Sequence, residues 1–66
     1  MSITLKAARV NAGLTLKQAE EKSGFNRNSI CEWERGKREP KLSKVRKLSE
    51  VYGTDPSQID LSPWWQ

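Results

Sequence analysis

Histidine is absent from the 66-residue sequence, and Cys31 is its only cysteine. A single thiol cannot form an internal disulfide, and the usual zinc-ligand spacings cannot be built from it. No histidine is present to activate Cys31 as a nucleophile, so we interpret it as a serine-like residue on the flank of a helix. We therefore expect no metal, no cofactor and no catalytic activity, in a protein suited to a reducing cytoplasm.

Long apolar segments are also absent. Apolar residues make up 35% of the chain, and no run of them approaches the roughly 20 residues of a membrane span. The first six residues lack the apolar stretch of a signal peptide. A chain of 66 residues is short enough for one domain with a modest core. We expect a single cytoplasmic domain without a membrane partner.

Charge is unevenly distributed along the chain, whose net charge is +4. Positive and negative side chains nearly cancel between Leu14 and Glu34. The segment from Arg35 to Lys47 instead holds seven basic residues against Glu39 alone, a net charge of +6. A run of charge is often only a solvated face, but a basic stretch also suits a polyanion. The charge pattern permits nucleic-acid binding without requiring it.

Turn-forming residues at four places divide the chain into five short segments. These residues are Gly13, Gly24, Gly36 with Pro40, and Gly53. None of the segments alternates apolar and polar residues as a strand does. The pattern predicts an all-α fold of five short helices within residues 1–61, followed by a C-terminal tail, 62–66.

The second and third helices have the clearest start signals. Thr15 and Gln18 form a capping box at the start of the second helix, which ends about eight residues later. Asn26 is a favoured N-cap for the third helix. Ile30 and Trp33 then form a single apolar stripe, and the other positions near the start of this helix are polar. The third helix is therefore expected to display its polar side to a partner.

The other helices are predicted from Ser2 to Ala12, from Leu42 to Tyr52, and from Asp55 in a short last helix. The inward-facing stripe of the fourth helix is predicted to be Leu42, Val45, Leu48 and Val51 or Tyr52.

Two short helices joined by a tight turn, inside a basic all-helical domain, are the components of a helix-turn-helix. Residues 14–36 resemble the helix-turn-helix of phage Cro and lambda-type repressors, the XRE family. The similarity rests on Gly-Leu-Thr at 13–15 and Trp-Glu-Arg-Gly-Lys at 33–37, and it extends over about residues 5–61. The resemblance implies a lambda-repressor-like fold and a Cro-like, sequence-specific transcriptional regulator whose third helix enters the major groove of operator DNA.

The resemblance also implies roles for individual residues. Arg27, Asn28 and Glu32 stand where relatives read base edges, and they suit guanine, adenine and cytosine respectively. Arg9 and Glu34 match a pair that forms a salt bridge between the first and third helices. The positions that touch the DNA backbone are occupied by Asn26, Ser29, Arg35, Lys37 and Lys41.

Two positions depart from the family pattern. Relatives usually carry glutamine at the position of Leu16, where its amide bonds a phosphate and steadies the recognition helix; leucine cannot make that bond. Glu20 occupies a position that is often alanine, and its carboxylate must point outward or find a partner. Neither departure lies at a base-reading position.

The C-terminal segment has more apolar area than a short helix easily buries. Trp64 and Trp65 could fold back on the domain's own core or form an exposed patch at an interface. Because helix-turn-helix domains of this size usually act as two-fold dimers, we favour a homodimer, weak in free solution, on an inverted-repeat operator. Its predicted contacts are Ile59, Trp64 and Trp65.

Two other functions fit the same domain. An antitoxin of a toxin–antitoxin pair uses it with an added partner-binding surface, and a protein-interaction module keeps the fold without binding DNA. The base-reading residues and the basic segment favour the DNA-binding regulator over the interaction module.

The basic segment predicts a strong salt dependence of DNA binding. If Arg35 to Lys47 contacts phosphates, the association constant falls with salt at a log–log slope of about −0.9 per phosphate neutralised. Lys37→Ala is expected to weaken binding to all sequences alike and to make this slope shallower. Fluorescence anisotropy titrations across a salt series measure both effects, and an association constant independent of salt would contradict the phosphate role.

Overall fold

Four α-helices and one turn of 3₁₀ helix make up the helical structure of residues 2–62 and Trp64, the residues that the computed structural model describes. The elements are α1 (Leu5–Asn11), α2 (Leu16–Ser23), α3 (Arg27–Glu34), α4 (Leu42–Tyr52) and the 3₁₀ turn Pro56–Gln58. This confirms the all-α prediction, although the predicted fifth helix is only a single turn. Asp55 caps that turn through the Ser57 amide, but Ile59 is already extended with ψ 128°, so no α-helix follows.

The helices α2 and α3 begin at the caps predicted from the sequence. The Thr15 hydroxyl accepts from the Gln18 amide, and the Gln18 side chain accepts from the Thr15 amide. Asn26 caps α3 by accepting from the Asn28 amide at 2.7 Å. Between the helices, Gly24 has φ +82°, a left-handed conformation that residues with a Cβ adopt only at a cost. These local signals limit both helices to eight residues.

The start of α1 corrects a boundary predicted from the sequence. The helix begins at Leu5 rather than at Ser2, because the Thr4 hydroxyl caps it by accepting from the Ala7 amide at 3.0 Å. Ile3, just before this cap, lies in an isolated β-bridge and not in the helix.

Ile3 and Ile59 join the two ends of the domain through an isolated parallel bridge. The Ile3 amide donates to the Gln58 carbonyl, and the Ile3 carbonyl accepts from the Asp60 amide, both at 2.7 Å. Backbone groups bonded in this way cannot also take part in a helix, so the bridge explains the shorter α1. It also holds the Ile59 side chain in the core, where only 4% of its surface is exposed.

The core lies where α1 and α2 pack against α4, while α3 packs against α1 and α2. Its buried apolar residues are Leu5, Ala8, Ala19, Ile30, Trp33, Val45, Leu48, Tyr52 and Ile59. Leu42 was predicted to face inward but is 51% exposed, because it is the first residue of α4 and lies at the helix end. None of the helices in the described residues is long and apolar enough to cross a bilayer.

An ion pair between Arg9 and Glu34 connects α1 to the end of α3. Arg9 Nε lies 2.8 Å from Glu34 Oε2 and its Nη2 lies 3.2 Å from Oε1, while Nη1 donates to the Leu14 carbonyl at 2.9 Å. The side chains are only 11% and 5% exposed, and the hydrogen bond to Glu34 raises the pKa of Arg9. One guanidinium therefore links α1, the loop before α2, and α3.

Removal of Arg9 should destabilise the domain far more than removal of an exposed arginine. Arg9→Ala leaves the Glu34 carboxylate nearly buried without its cation, which typically costs about 3–5 kcal/mol of the free energy of unfolding. Arg38→Ala is the matched control, since Arg38 is 58% exposed and its pair with Glu32 is worth at most about 1 kcal/mol. Urea unfolding followed by circular dichroism measures both, and equal losses would contradict this account.

Candidate nucleic-acid interface

The third helix has one buried side and one polar side. Ile30 and Trp33 face the core, with 0% and 3% of their surface exposed. Asn28 and Glu32 are four residues apart and therefore lie one above the other on the opposite side of α3. Arg27, the first residue of the helix, lies beside Asn28 and is 55% exposed along its side chain. A short row of polar groups is thus displayed on a helix whose other side is anchored.

Aromatic contacts support the turn that carries α3. The rings of Phe25 and Trp33 pack edge to face, with centroids 5.7 Å apart and an interplanar angle of 81°. Lys44 Nζ of α4 lies over both rings, 5.6 Å and 5.5 Å from their centroids. Aromatic pairs and cation–π contacts each contribute a fraction of a kcal/mol to about 1.5 kcal/mol. They tie the turn to α3 and α4.

The start of α3 is held by two acceptors. The side-chain oxygen of Asn26, Oδ1, accepts from the backbone N–H of Asn28. The side-chain NH₂ group of Asn26 remains as a donor for an outside partner. Glu20 of α2 supplies the second acceptor: its Oε2 accepts from the Arg27 amide at 3.0 Å, and its Oε1 lies 3.8 Å from Arg27 Nε. A carboxylate is favoured at a helix N-terminus, where backbone N–H groups lack intrahelical partners.

Glu32 also has a cationic partner. Arg38 Nη1, in the loop after α3, donates to Glu32 Oε1 at 3.3 Å, and the two side chains are 58% and 41% exposed. The partly exposed carboxylate on the polar side of α3 is therefore paired with an arginine of the basic segment. This bond involves Oε1, and a carboxylate accepts through both oxygens, so Oε2 can accept a further hydrogen bond while Arg38 stays in place.

The basic segment does not present all of its cations in the same way. Arg35 at the end of α3, Lys37 in the following loop and Lys41 before α4 are exposed. Lys44 instead lies over aromatic rings and serves the packing of the turn. Ser29 is partly buried near the start of α3. No group of three or more side chains able to hold a metal ion occurs among the described residues.

Comparison with known proteins identifies the family to which this chain belongs. A family model described as helix-turn-helix matches residues 5–59, most of the chain. The chain belongs to the helix-turn-helix family. It is 42% identical over 55 residues to the HTH-type transcriptional regulator ImmR of Bacillus subtilis (strain 168), an alignment that covers 83% of this chain and 43% of that protein. The chain thus spans less than half the length of this relative, and no solved structure matches it significantly.

The family match confirms the resemblance drawn from residues 14–36. In this helix-turn-helix domain, the three predicted base-reading residues share one helix, and the predicted backbone contacts lie at its start and in the loop that follows. Arg9 and Glu34 were predicted as a structural pair, and Arg9 Nε lies 2.8 Å from Glu34 Oε2 at the end of α3.

Two features of the helix-turn-helix were not predicted from the sequence. Glu20 and Arg27 are seven residues apart on two different helices, and Glu32 and Arg38 are separated by the turn after α3. Neither spacing corresponds to neighbours on one helix, where pairs are three or four residues apart. Only the departure of Glu20 from the usual alanine indicated that its carboxylate needed a partner.

The three residues predicted to form dimer contacts differ in their environments. Ile59 is buried in its own subunit and bridged to Ile3, so it offers a second copy almost no surface. Trp64 is half-buried and packs partly against the same core. Trp65 lies outside the described residues.

Substitutions on the polar side of α3 should alter base preference rather than affinity alone. Arg27→Ala or Asn28→Ala is expected to cost about 1–3 kcal/mol on the best site and to relax preference at one or two base pairs. Glu32→Gln is expected to change the preferred base, because an amide can donate as well as accept. Lys37→Ala is the control, since the loss of a phosphate contact is expected to weaken binding to all DNA sequences equally. An unchanged preferred site in all three variants of α3 would show that another element reads the DNA.

Proposed function

We propose that the chain is a sequence-specific DNA-binding transcriptional regulator that inserts α3 into the major groove. The observation that carries this proposal is the polar side of α3, exposed opposite the buried Ile30 and Trp33 within a helix-turn-helix. The major groove is wide enough to admit an α-helix and presents a distinct pattern of donors and acceptors for each base pair. The name of the ImmR relative, a transcriptional regulator, supports the same function.

The chemistry of the exposed side chains suggests how bases are read. The Arg27 guanidinium can donate two hydrogen bonds to guanine, and the Asn28 amide can pair with adenine. Glu32 can accept from the amino group of cytosine through Oε2, while its Oε1 stays paired with Arg38. Each such contact discriminates against a wrong base by about 1–3 kcal/mol.

Contacts with phosphates then hold the helix in register. Exposed Arg35, Lys37 and Lys41 carry positive charge in and around the loop after α3. The side chains of Asn26 and Ser29 supply hydrogen-bond donors at its start. Such contacts position the protein without specifying sequence, whereas contacts to base edges give the specificity. We propose no catalytic role.

One recognition helix contacts few base pairs, too few to select one operator among the competing sites of a genome. We therefore propose that two copies bind an inverted repeat, with half-sites about 34–36 Å apart. After the exclusion of Ile59, the proposed dimer contact consists of Trp64 and Trp65.

Selection of bound duplexes from a random DNA pool tests both parts of the proposal. The full chain is expected to enrich an inverted repeat, because two-fold symmetric protein pairs bind two-fold symmetric sites. A variant that lacks residues 63–66 should retain its circular dichroism spectrum and select the same half-site, but bind two half-sites with less cooperativity.

Two results would contradict the proposal. The absence of any enriched sequence from the full chain would reject sequence-specific binding and favour a protein-interaction module. If the shortened chain unfolds while its folded fraction still binds two half-sites cooperatively, the tail belongs to the core and dimer contacts lie elsewhere.

A further inference from the structure

Glu20 makes two contacts with one residue of the recognition helix. Its Oε2 accepts from the Arg27 backbone amide at 3.0 Å, and its Oε1 lies 3.8 Å from the Arg27 Nε. The Glu20 side chain is 32% exposed and the Arg27 side chain 55% exposed, so the pair lies at the surface of the helix-turn-helix.

The backbone contact gives the carboxylate a defined position. The Arg27 amide is at the first position of α3, and its place is set by the helix rather than by a flexible side chain. The positive end of the helix dipole also favours a carboxylate there. With Oε2 bonded to the amide, Oε1 lies beside the Arg27 guanidinium, 3.8 Å from its Nε.

We propose that Glu20 is a positioning residue that sets the base preference of Arg27, an inference that rests on the proposed DNA-reading function. Glu20 approaches the Nε side of the guanidinium, and within the described part of the chain Nη1 and Nη2 have no hydrogen-bond acceptor. These two groups can donate in parallel to the two acceptors on the edge of guanine. Glu20 limits the rotamers of Arg27 before DNA binds, which reduces the entropy lost on binding.

The neighbours of Glu20 on α2 cannot take this role. Leu16, one turn earlier, packs partly against the core and has no polar group in its side chain. Glu21 is exposed and has no ion pair or side-chain hydrogen bond among the described residues. Because Glu20 and Glu21 carry the same charge on the same helix, they form a matched pair for an experiment.

Loss of the Glu20 charge should have two effects of opposite sign. A negative charge near DNA weakens attraction to phosphates, so its removal strengthens binding to non-specific DNA. The same change frees Arg27 and therefore weakens discrimination at the base pair that Arg27 reads. A residue that only stabilised the fold would not produce this combination.

The test compares Glu20→Gln with Glu21→Gln. Glutamine at position 20 can still accept from the Arg27 amide, so the cap of α3 is kept while the attraction for the guanidinium is lost. Discrimination at the base pair relaxed by Arg27→Ala is expected to fall by about threefold to tenfold in Glu20→Gln, part of the roughly 5- to 150-fold that a bidentate contact supplies. Glu21→Gln is expected to strengthen non-specific binding equally and to leave that discrimination unchanged.

A double variant tests whether the effect passes through Arg27. In the Arg27→Ala background, Glu20→Gln should no longer change discrimination at this base pair. Wild-type discrimination in Glu20→Gln would overturn the positioning role, and so would an increase, since Glu20 would then compete with DNA for Arg27. Either result leaves the proposed function intact if Arg27→Ala still relaxes one base pair. If the full chain selects no sequence at all, it is the proposed function that fails.

Discussion

Ile30 and Trp33 are the two side chains that anchor α3 in the core, and the display of its polar side depends on them. An eight-residue helix is too short to be stable alone, so its orientation comes from tertiary contacts. Two buried residues three positions apart leave the opposite side free, where Asn28 and Glu32 lie. Any change that rotated this stripe would turn the polar row away from a partner.

Three further contacts hold the two ends of α3. At its start, Asn26 and Glu20 accept from backbone amides, and at its end the nearly buried Arg9–Glu34 pair connects it to α1. The aromatic contact between Phe25 and Trp33 ties the preceding turn to the same helix. A helix held at both ends and on one side gives its remaining side chains a fixed backbone, which suits the reading of base edges.

Two partly exposed acidic residues of the helix-turn-helix are each paired with an arginine. Glu20 lies beside Arg27, and Glu32 beside Arg38, so both carboxylates are partly neutralised before any DNA is present. Surface pairs of this kind add little to stability, typically at most about 1 kcal/mol. Their main effect is electrostatic, since each pair places a positive charge within 4 Å of a carboxylate.

Local signals in the sequence determined the caps of α2 and α3 and the residues of the buried stripe, because each depends on neighbours a few positions apart. The family followed from two short motifs, at 13–15 and 33–37. The late start of α1, the single 3₁₀ turn and the burial of Ile59 were decided by the bridge between Ile3 and Ile59, whose partners are far apart in the chain. Leu42 is exposed because it is the first residue of α4 and lies at the helix end. The partners of Glu20 and Glu32 could not be predicted for the same reason: ion pairs across a turn depend on how two helices pack, and helical spacing does not encode that geometry.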